Sequence, residues 1–183
     1  MKNAIRIAQR IQAAVEEIDG GAADSLVAAV ATGRRVFVLG AGRTGLVLQA
    51  FAVRLRQMQL PTFIVGAPLC GAISTGDLLL IASASGGRAT HAEFVRVAKA
   101  AGATLALVTA DRGAPLAAEA ETVVRIPSVA PGDDSRLNRL PHQPLNTLFE
   151  QALSVFFDAI VVELMVRLKV TPAFMRSRHA NLE

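Results

Sequence analysis

Five short apolar runs punctuate the middle of this chain: 35–39 (RVFVL), 62–65 (TFIV), 78–82 (LLLIA), 104–109 (TLALVT) and 122–126 (TVVRI). Runs this short and this continuous suit strands buried on both faces, because neither side of the pleat then meets water. Between them lie 46–58, 91–101 and 115–120, whose patterns are helical. Strands alternating with helices call for parallel pairing, since a parallel return needs a crossover long enough to hold a helix. The chain is therefore expected to be an α/β protein, a three-layer αβα sandwich around a five-stranded parallel sheet.

The flanks read as helix. Ile5, Ala8, Ile11, Val15 and Ile18 recur at helical spacing until Gly20-Gly21 stops the run, and Asp24 is expected to cap a second short helix reaching about Val30. Residues 148–168 form a long helix that is apolar nearly all round. Such a helix must be covered on both sides, which points to a subunit interface and an oligomer. The polar, proline-containing stretch 129–143 (VAPGDDSRLNRLPHQ) reads as a long loop. One domain is expected over 1–183, with N-terminal helices at 1–32, a sheet core at 33–128, a long helix at 144–169 and a tail at 172–183.

Composition narrows the classes. With 52% hydrophobic and 19% charged residues, the chain is too apolar to be disordered. The uncharged stretch 59–76 holds Pro61 and Pro68, so no membrane helix is expected. The first ten residues are charged and lack an apolar leader, and Cys70 is the single cysteine. A cytoplasmic protein without disulfides or a thiolate metal site is the expectation. The net charge is +4, but the basic residues are scattered and Trp and Tyr are absent. That argues against nucleic acid and suits a small anionic substrate.

Three turns follow strands, where an open parallel sheet binds ligands. Gly40-Ala41-Gly42-Arg43-Thr44-Gly45 is a formal G-x-G-x-x-G. No acid occurs between Gly45 and Asp77 to hold a ribose, which counts against a dinucleotide. An anion at a helix start and a ligand-free tight turn both remain open. The second turn, Ser83-Ala84-Ser85-Gly86-Gly87-Arg88-Ala89-Thr90, combines hydroxyls, glycines and a guanidinium ahead of a helix, the makings of a phosphate cradle. Ser and Thr also cap helices for structural reasons. Thr109-Ala110-Asp111-Arg112 reads as an ordinary loop.

Glu150 precedes an apolar helix face formed by Ser154, Phe157 and Val161, which would suit a carboxylate to proton transfer. Equally, Thr147-Leu148-Phe149-Glu150 fits the S/T-x-x-E capping box, and the two readings stand side by side. His179 reads by itself as a tail histidine; His91 and His142 show no metal spacing, and Cys70 reads as packing.

Taken together these residues resemble a known family. Gly40 to Gly45 followed by Phe51-Ala52-Val53-Arg54-Leu55 resembles the sugar isomerase (SIS) domain, and more narrowly its 6-phospho-3-hexuloisomerase branch. Gly76-Asp77-Leu78-Leu79-Leu80-Ile81, Ser83-Ala84-Ser85-Gly86, Gln143-Pro144, Thr147-Leu148-Phe149-Glu150-Gln151 and the ending Arg178-His179-Ala180-Asn181-Leu182-Glu183 are similar to that branch's motifs. The resemblance implies a flavodoxin-like topology and a homotetramer that interconverts D-arabino-hex-3-ulose 6-phosphate and fructose 6-phosphate through an enediolate. It implies a functional link to hexulose-phosphate synthase in the ribulose monophosphate pathway, and no metal or other cofactor. It places the phosphate on Ser83, Ser85, Gly86 and Gly87, and the sugar end along Gly42, Arg43 and Thr44. It makes Glu150 the base and brings His179 from a neighbouring subunit. The chain departs from the family where S-G-S-G-E-T becomes Ser83-Ala84-Ser85-Gly86-Gly87-Arg88, so that Arg88 or Thr90 would replace a hydroxyl contact. Related activities on arabinose 5-phosphate or sedoheptulose 7-phosphate, and a non-catalytic sugar-phosphate sensor, are the alternatives.

Overall fold

The computed structural model describes residues 1–87, 89–111, 113–128 and 143–182. Arg88, Glu183, His142 and nearly all of the loop expected at 129–143 lie outside the described residues. The chain runs α1 (Lys2–Glu16), α2 (Gly20–Thr32), β1 (Val36–Leu39), α3 (Gly42–Gln57), β2 (Thr62–Ile64), β3 (Leu78–Ala82), α4 (Ala89–Ala100) and β4 (Thr104–Thr109). A short 3-10 helix (Pro115–Glu119), β5 (Thr122–Arg125), α5 (Thr147–Leu168) and α6 (Pro172–Ser177) follow. All five expected strands form, in one fully parallel sheet of order β2–β1–β3–β4–β5. No described helix is long and apolar enough to cross a membrane.

Alternate strand residues feed two cores. Val36, Val38, Leu78, Leu80, Ala106 and Val108 face α2, α3 and α5, while Phe37, Leu39, Leu79, Ile81, Leu105 and Leu107 face α4 and the 3-10 helix. The chain leaves β1 towards β2 on one side and returns past β1 to β3 on the other. Right-handed crossovers then put α3 and α4 on opposite faces, and the point of reversal, between β1 and β3, is where such sheets open a ligand crevice.

The helix boundaries correct several expectations. Gly20 and Gly21 do not end a helix but begin α2, whose cap is Asp19 rather than Asp24: the Asp19 carboxylate accepts the Ala22 N–H at 2.7 Å. Helix α3 starts four residues before the expected Leu46, at Gly42. The helix expected at 115–120 is a 3-10 turn, and α6 is an element the apolar pattern does not announce. Helix α5 buries nine of its 22 residues, and its exposed face sets Val155, Val162 and Val166 among Ser154, Asp158, Glu163 and Arg167, so it is less apolar all round than expected.

At the amino edge of the sheet, fully buried Asp77 receives Arg35 Nη2 at 2.6 Å, Arg35 Nε at 3.0 Å, the Ser74 N–H at 2.8 Å and Arg34 Nε at 3.3 Å. Burial pushes this carboxyl's pKa up, but the bonds from Arg35, Ser74 and Arg34 outweigh it and hold Asp77 well below the usual carboxylate range. A folded-state pKa below the unfolded one stabilises at neutral pH, and the contribution is lost as pH falls below the ordinary carboxylate value of about 4. Asp77→Asn is expected to cost about 3 kcal/mol in urea titrations at pH 7. The gap between variant and parent should narrow below about pH 4; a gap that stays constant across this range would show that the ion cluster does not set acid stability.

Candidate active site

The G-x-G-x-x-G turn is built first by packing. A Cβ on Gly45 would lie 2.6 Å from the Gly40 carbonyl, and one on Gly40 would lie 2.8 Å from Leu48 Cδ1, so the start of α3 presses directly onto the end of β1. Gly42 adopts φ +56° in open space. This anchoring leaves Thr44 buried and aims Arg43, on the first turn of α3, outward along the carboxyl edge.

Arg43 meets Glu150. Its Nε donates to Glu150 Oε2 at 2.5 Å, joining the first turns of α3 and α5, which pack side by side. The carboxylate side chain is only 12% exposed, the guanidinium 66%. The capping box is not formed. Asn146 occupies the cap position, the Thr147 hydroxyl and N–H both donate to the Pro144 carbonyl, and the Glu150 carboxylate is committed to Arg43 instead. A helix cap therefore does not account for Glu150.

Beyond the carboxyl end of β3, the strand paired with β1, lies the second turn. Ser83 is buried, its N–H donating to the Val108 carbonyl, while its own carbonyl and Oγ accept the Gly86 N–H at 3.1 and 3.2 Å. Gly86 takes φ +57°. Ser85, Gly87 and Thr90 are exposed, the last on the opening turn of α4. The turn rests on the segment following β4. The Ala84 carbonyl accepts the Ala110 N–H and the Thr109 hydroxyl, each at 3.1 Å, and the Gly86 carbonyl accepts the Leu116 N–H at 3.1 Å. Ala84 and Ala110 also pack into the core cluster that holds Leu148 and Phe149 at the head of α5. Gly42, Arg43 and Thr44, with Glu150 paired to Arg43, thus follow the carboxyl end of β1, and Ser83, Ser85, Gly86 and Gly87 follow that of the neighbouring strand β3.

His179 is elsewhere. It lines a cleft of about 390 Å³ with Val47, Arg54 and Gln57 of α3 and Ser154 and Asp158 of α5. Ser154 and Asp158 lie one and two helical turns beyond Glu150 on α5, so the histidine sits in the same interhelical groove but about 10 Å along it. Arg43 and Glu150 are not among the residues that line this cleft. Two groups carry more of the architecture than their sequence suggests: Thr109, read as part of an ordinary loop, and the Asp77 cluster. The signal for the second was available, since Arg35 and Asp77 immediately precede strands paired at Val36 and Leu78.

The SIS domain model matches residues 30–133, more than half of the chain and the whole sheet. The chain belongs to the SIS-domain family. It is 41% identical over 149 residues to a protein of Mycobacterium gastri named 3-hexulose-6-phosphate isomerase, covering 81% of this chain and 74% of that one. A Bacillus subtilis protein of the same name is 34% identical over 161 residues, 88% of this chain and 86% of the relative. Among solved structures, a Methanococcus jannaschii protein whose crystal structure was taken to infer that same function superposes along its whole length and that of this SIS protein, with TM-score 0.83 at 22% identity, which shows a shared fold.

Proposed function

We propose that this SIS-domain protein is a sugar-phosphate isomerase that interconverts D-arabino-hex-3-ulose 6-phosphate and fructose 6-phosphate. The observation that carries the reading is Glu150, shielded and held by Arg43 where the first turns of α3 and α5 meet. Relatives named for this activity at 34% and 41% identity support the choice of sugar.

The chemistry needs few groups. Moving the carbonyl from C3 to C2 removes the proton at C2, forms an enediolate and returns a proton at C3, with no change in overall composition. The phosphate binds the turn from Ser83 to Gly87 near the amino end of α4, through the exposed Ser85 and Gly87 with Thr90 on the first turn of the helix, where backbone N–H groups and the helix dipole favour an anion; Gly86, its N–H given to Ser83, shapes the turn, and Arg88 is the cation the sequence adds to it. Gly42 and Thr44 shape the wall beside the sugar. Glu150 takes and returns the carbon-bound proton; Oε2 stays on the Arg43 guanidinium, and Oε1 is the second oxygen available to carry the proton. Arg43, beside the base, also offers charge to the enediolate oxygens.

The exposed Val155, Val162 and Val166 of α5 support self-association into the tetramer, in which His179 of one copy completes the site of another. The cytoplasm and the ribulose monophosphate pathway, downstream of hexulose-phosphate synthase, are the setting of this reading.

The test is a coupled assay in which hexulose 6-phosphate is formed from ribulose 5-phosphate and formaldehyde and fructose 6-phosphate is read out. Turnover without added metal is expected. Its absence, with sugar phosphates still raising the melting temperature, would replace the isomerase with a different substrate or a sensor. Removal of residues 178–183 should lower kcat by about 100-fold, in the range of a lost proton-transfer group, while the oligomer persists in light scattering. Undiminished kcat would remove His179 from the site.

A further inference from the structure

Position 109 has no part in the scheme above, yet it is the most buried hydroxyl next to the turn assigned to the phosphate. Thr109 ends β4 and is 1% exposed. Its Oγ1 accepts the Asp111 N–H at 3.2 Å and donates to the Ala84 carbonyl at 3.1 Å, the carbonyl that the Ala110 N–H also holds. A hydroxyl has one proton to give, and this one is spent on the turn.

The consequence follows from peptide geometry. No peptide bond among the described residues is cis. In a planar trans peptide the C=O of one residue and the N–H of the next point in opposite directions. With the Ala84 carbonyl drawn towards the segment after β4, the Ser85 N–H must point away from it. The Leu116 N–H does the same to the Gly86 carbonyl and so turns the Gly87 N–H outward. Ser85 and Gly87 are the exposed residues of the turn, in agreement. The Gly86 N–H between them is given to Ser83, so the Ser85 and Gly87 N–H groups are the two donors this turn directs away from the segment after β4.

We propose that Thr109 is a positioning residue for substrate phosphate: it fixes the orientation of the Ala84–Ser85 peptide and so aims the Ser85 N–H at the anion without touching it. The proposal rests on the reading of 83–87 as the phosphate turn. It sets affinity rather than proton transfer, so KM and kcat should respond differently.

The experiment compares Thr109→Val, which keeps the shape and removes the hydroxyl, with Thr109→Ser, which keeps the hydroxyl and removes a methyl group. Fructose 6-phosphate binding is measured by calorimetry and turnover by the coupled assay, on the full chain. Thr109→Val should weaken binding roughly tenfold, the size of one hydrogen bond, raise KM in parallel and leave kcat within about twofold. Thr109→Ser should restore wild-type affinity even if its melting temperature falls. Should Thr109→Val fail to fold, Thr109→Ala provides the hydroxyl-free comparison. Wild-type affinity in a folded hydroxyl-free variant, or equal losses of affinity in the serine and valine variants, overturns the proposal while leaving the phosphate turn standing. If the unmodified chain binds neither fructose 6-phosphate nor inorganic phosphate, the phosphate turn falls and the role of Thr109 falls with it.

Discussion

Glu150→Gln is expected to lower kcat by about 10³-fold, within the range that a positioned acid–base group contributes, while the variant folds and binds fructose 6-phosphate as the parent does. The substitution keeps the shape of the side chain and an acceptor oxygen for Arg43 Nε, so the contact between α3 and α5 survives. The helix start survives as well, because its local bonds run from Thr147 to Pro144 and from Glu150's backbone N–H to Asn146, and none uses the carboxylate. What disappears is the group able to accept a proton from carbon. Calorimetry, a melting curve and the coupled assay on one preparation separate these contributions. A glutamine variant that turns over at near the parental rate would leave the Arg43–Glu150 pair as a clamp between two helices and move the base elsewhere.

The second large effect is expected at Gly86. Its φ of +57° costs an L-residue about 1 kcal/mol, and a Cβ there would lie 2.4 Å from Ala114 Cβ and 3.1 Å from Thr109 Oγ1. Real atoms do not approach so closely, so Gly86→Ala has to push the turn off the segment after β4, at a further cost of about 2 kcal/mol. Affinity for sugar phosphate should fall at least about 30-fold, since both peptide orientations depend on that seat. Gly42→Ala is the control: φ is nearly the same, +56°, but its Cβ meets nothing within 4 Å, so only the conformational cost of about 1 kcal/mol remains. Urea unfolding and calorimetry on both variants test this, and equal destabilisation would show that the seat against Ala114 is soft.

The sheet was legible because strands covered on both faces are written as unbroken apolar runs, and each of the five lies within a residue of where its run places it. Helix starts were less so. Gly42 opens α3 and Gly20 opens α2 although glycine is a poor helix residue. At the first, tight contact with β1 decides; at the second, the Asp19 carboxylate satisfies the exposed N–H. The Ser83 turn could be picked out from its composition, and Glu150 narrowed to two roles, but removing the capping box needed the partner Arg43, 107 residues away in sequence. Thr109 was invisible for a similar reason. Its partner Ala84 is 25 residues distant, and only the adjacency of β3 and β4 brings the two together.

Asp77 and its arginines lie at the start of β3, and the Ser83 turn follows the end of that same strand. A strand of five residues spans roughly 16 Å, so a rigid slab of Leu78, Leu79, Leu80 and Ile81 separates the ion cluster from the crevice. Substitutions at the two ends of the strand are therefore expected to act independently, because sites this far apart share no partners. A double variant that weakens the Arg34–Asp77 contact and alters the Ser83 turn should show the sum of the two single effects on stability, the ion cluster and the turn being braced separately by the same strand.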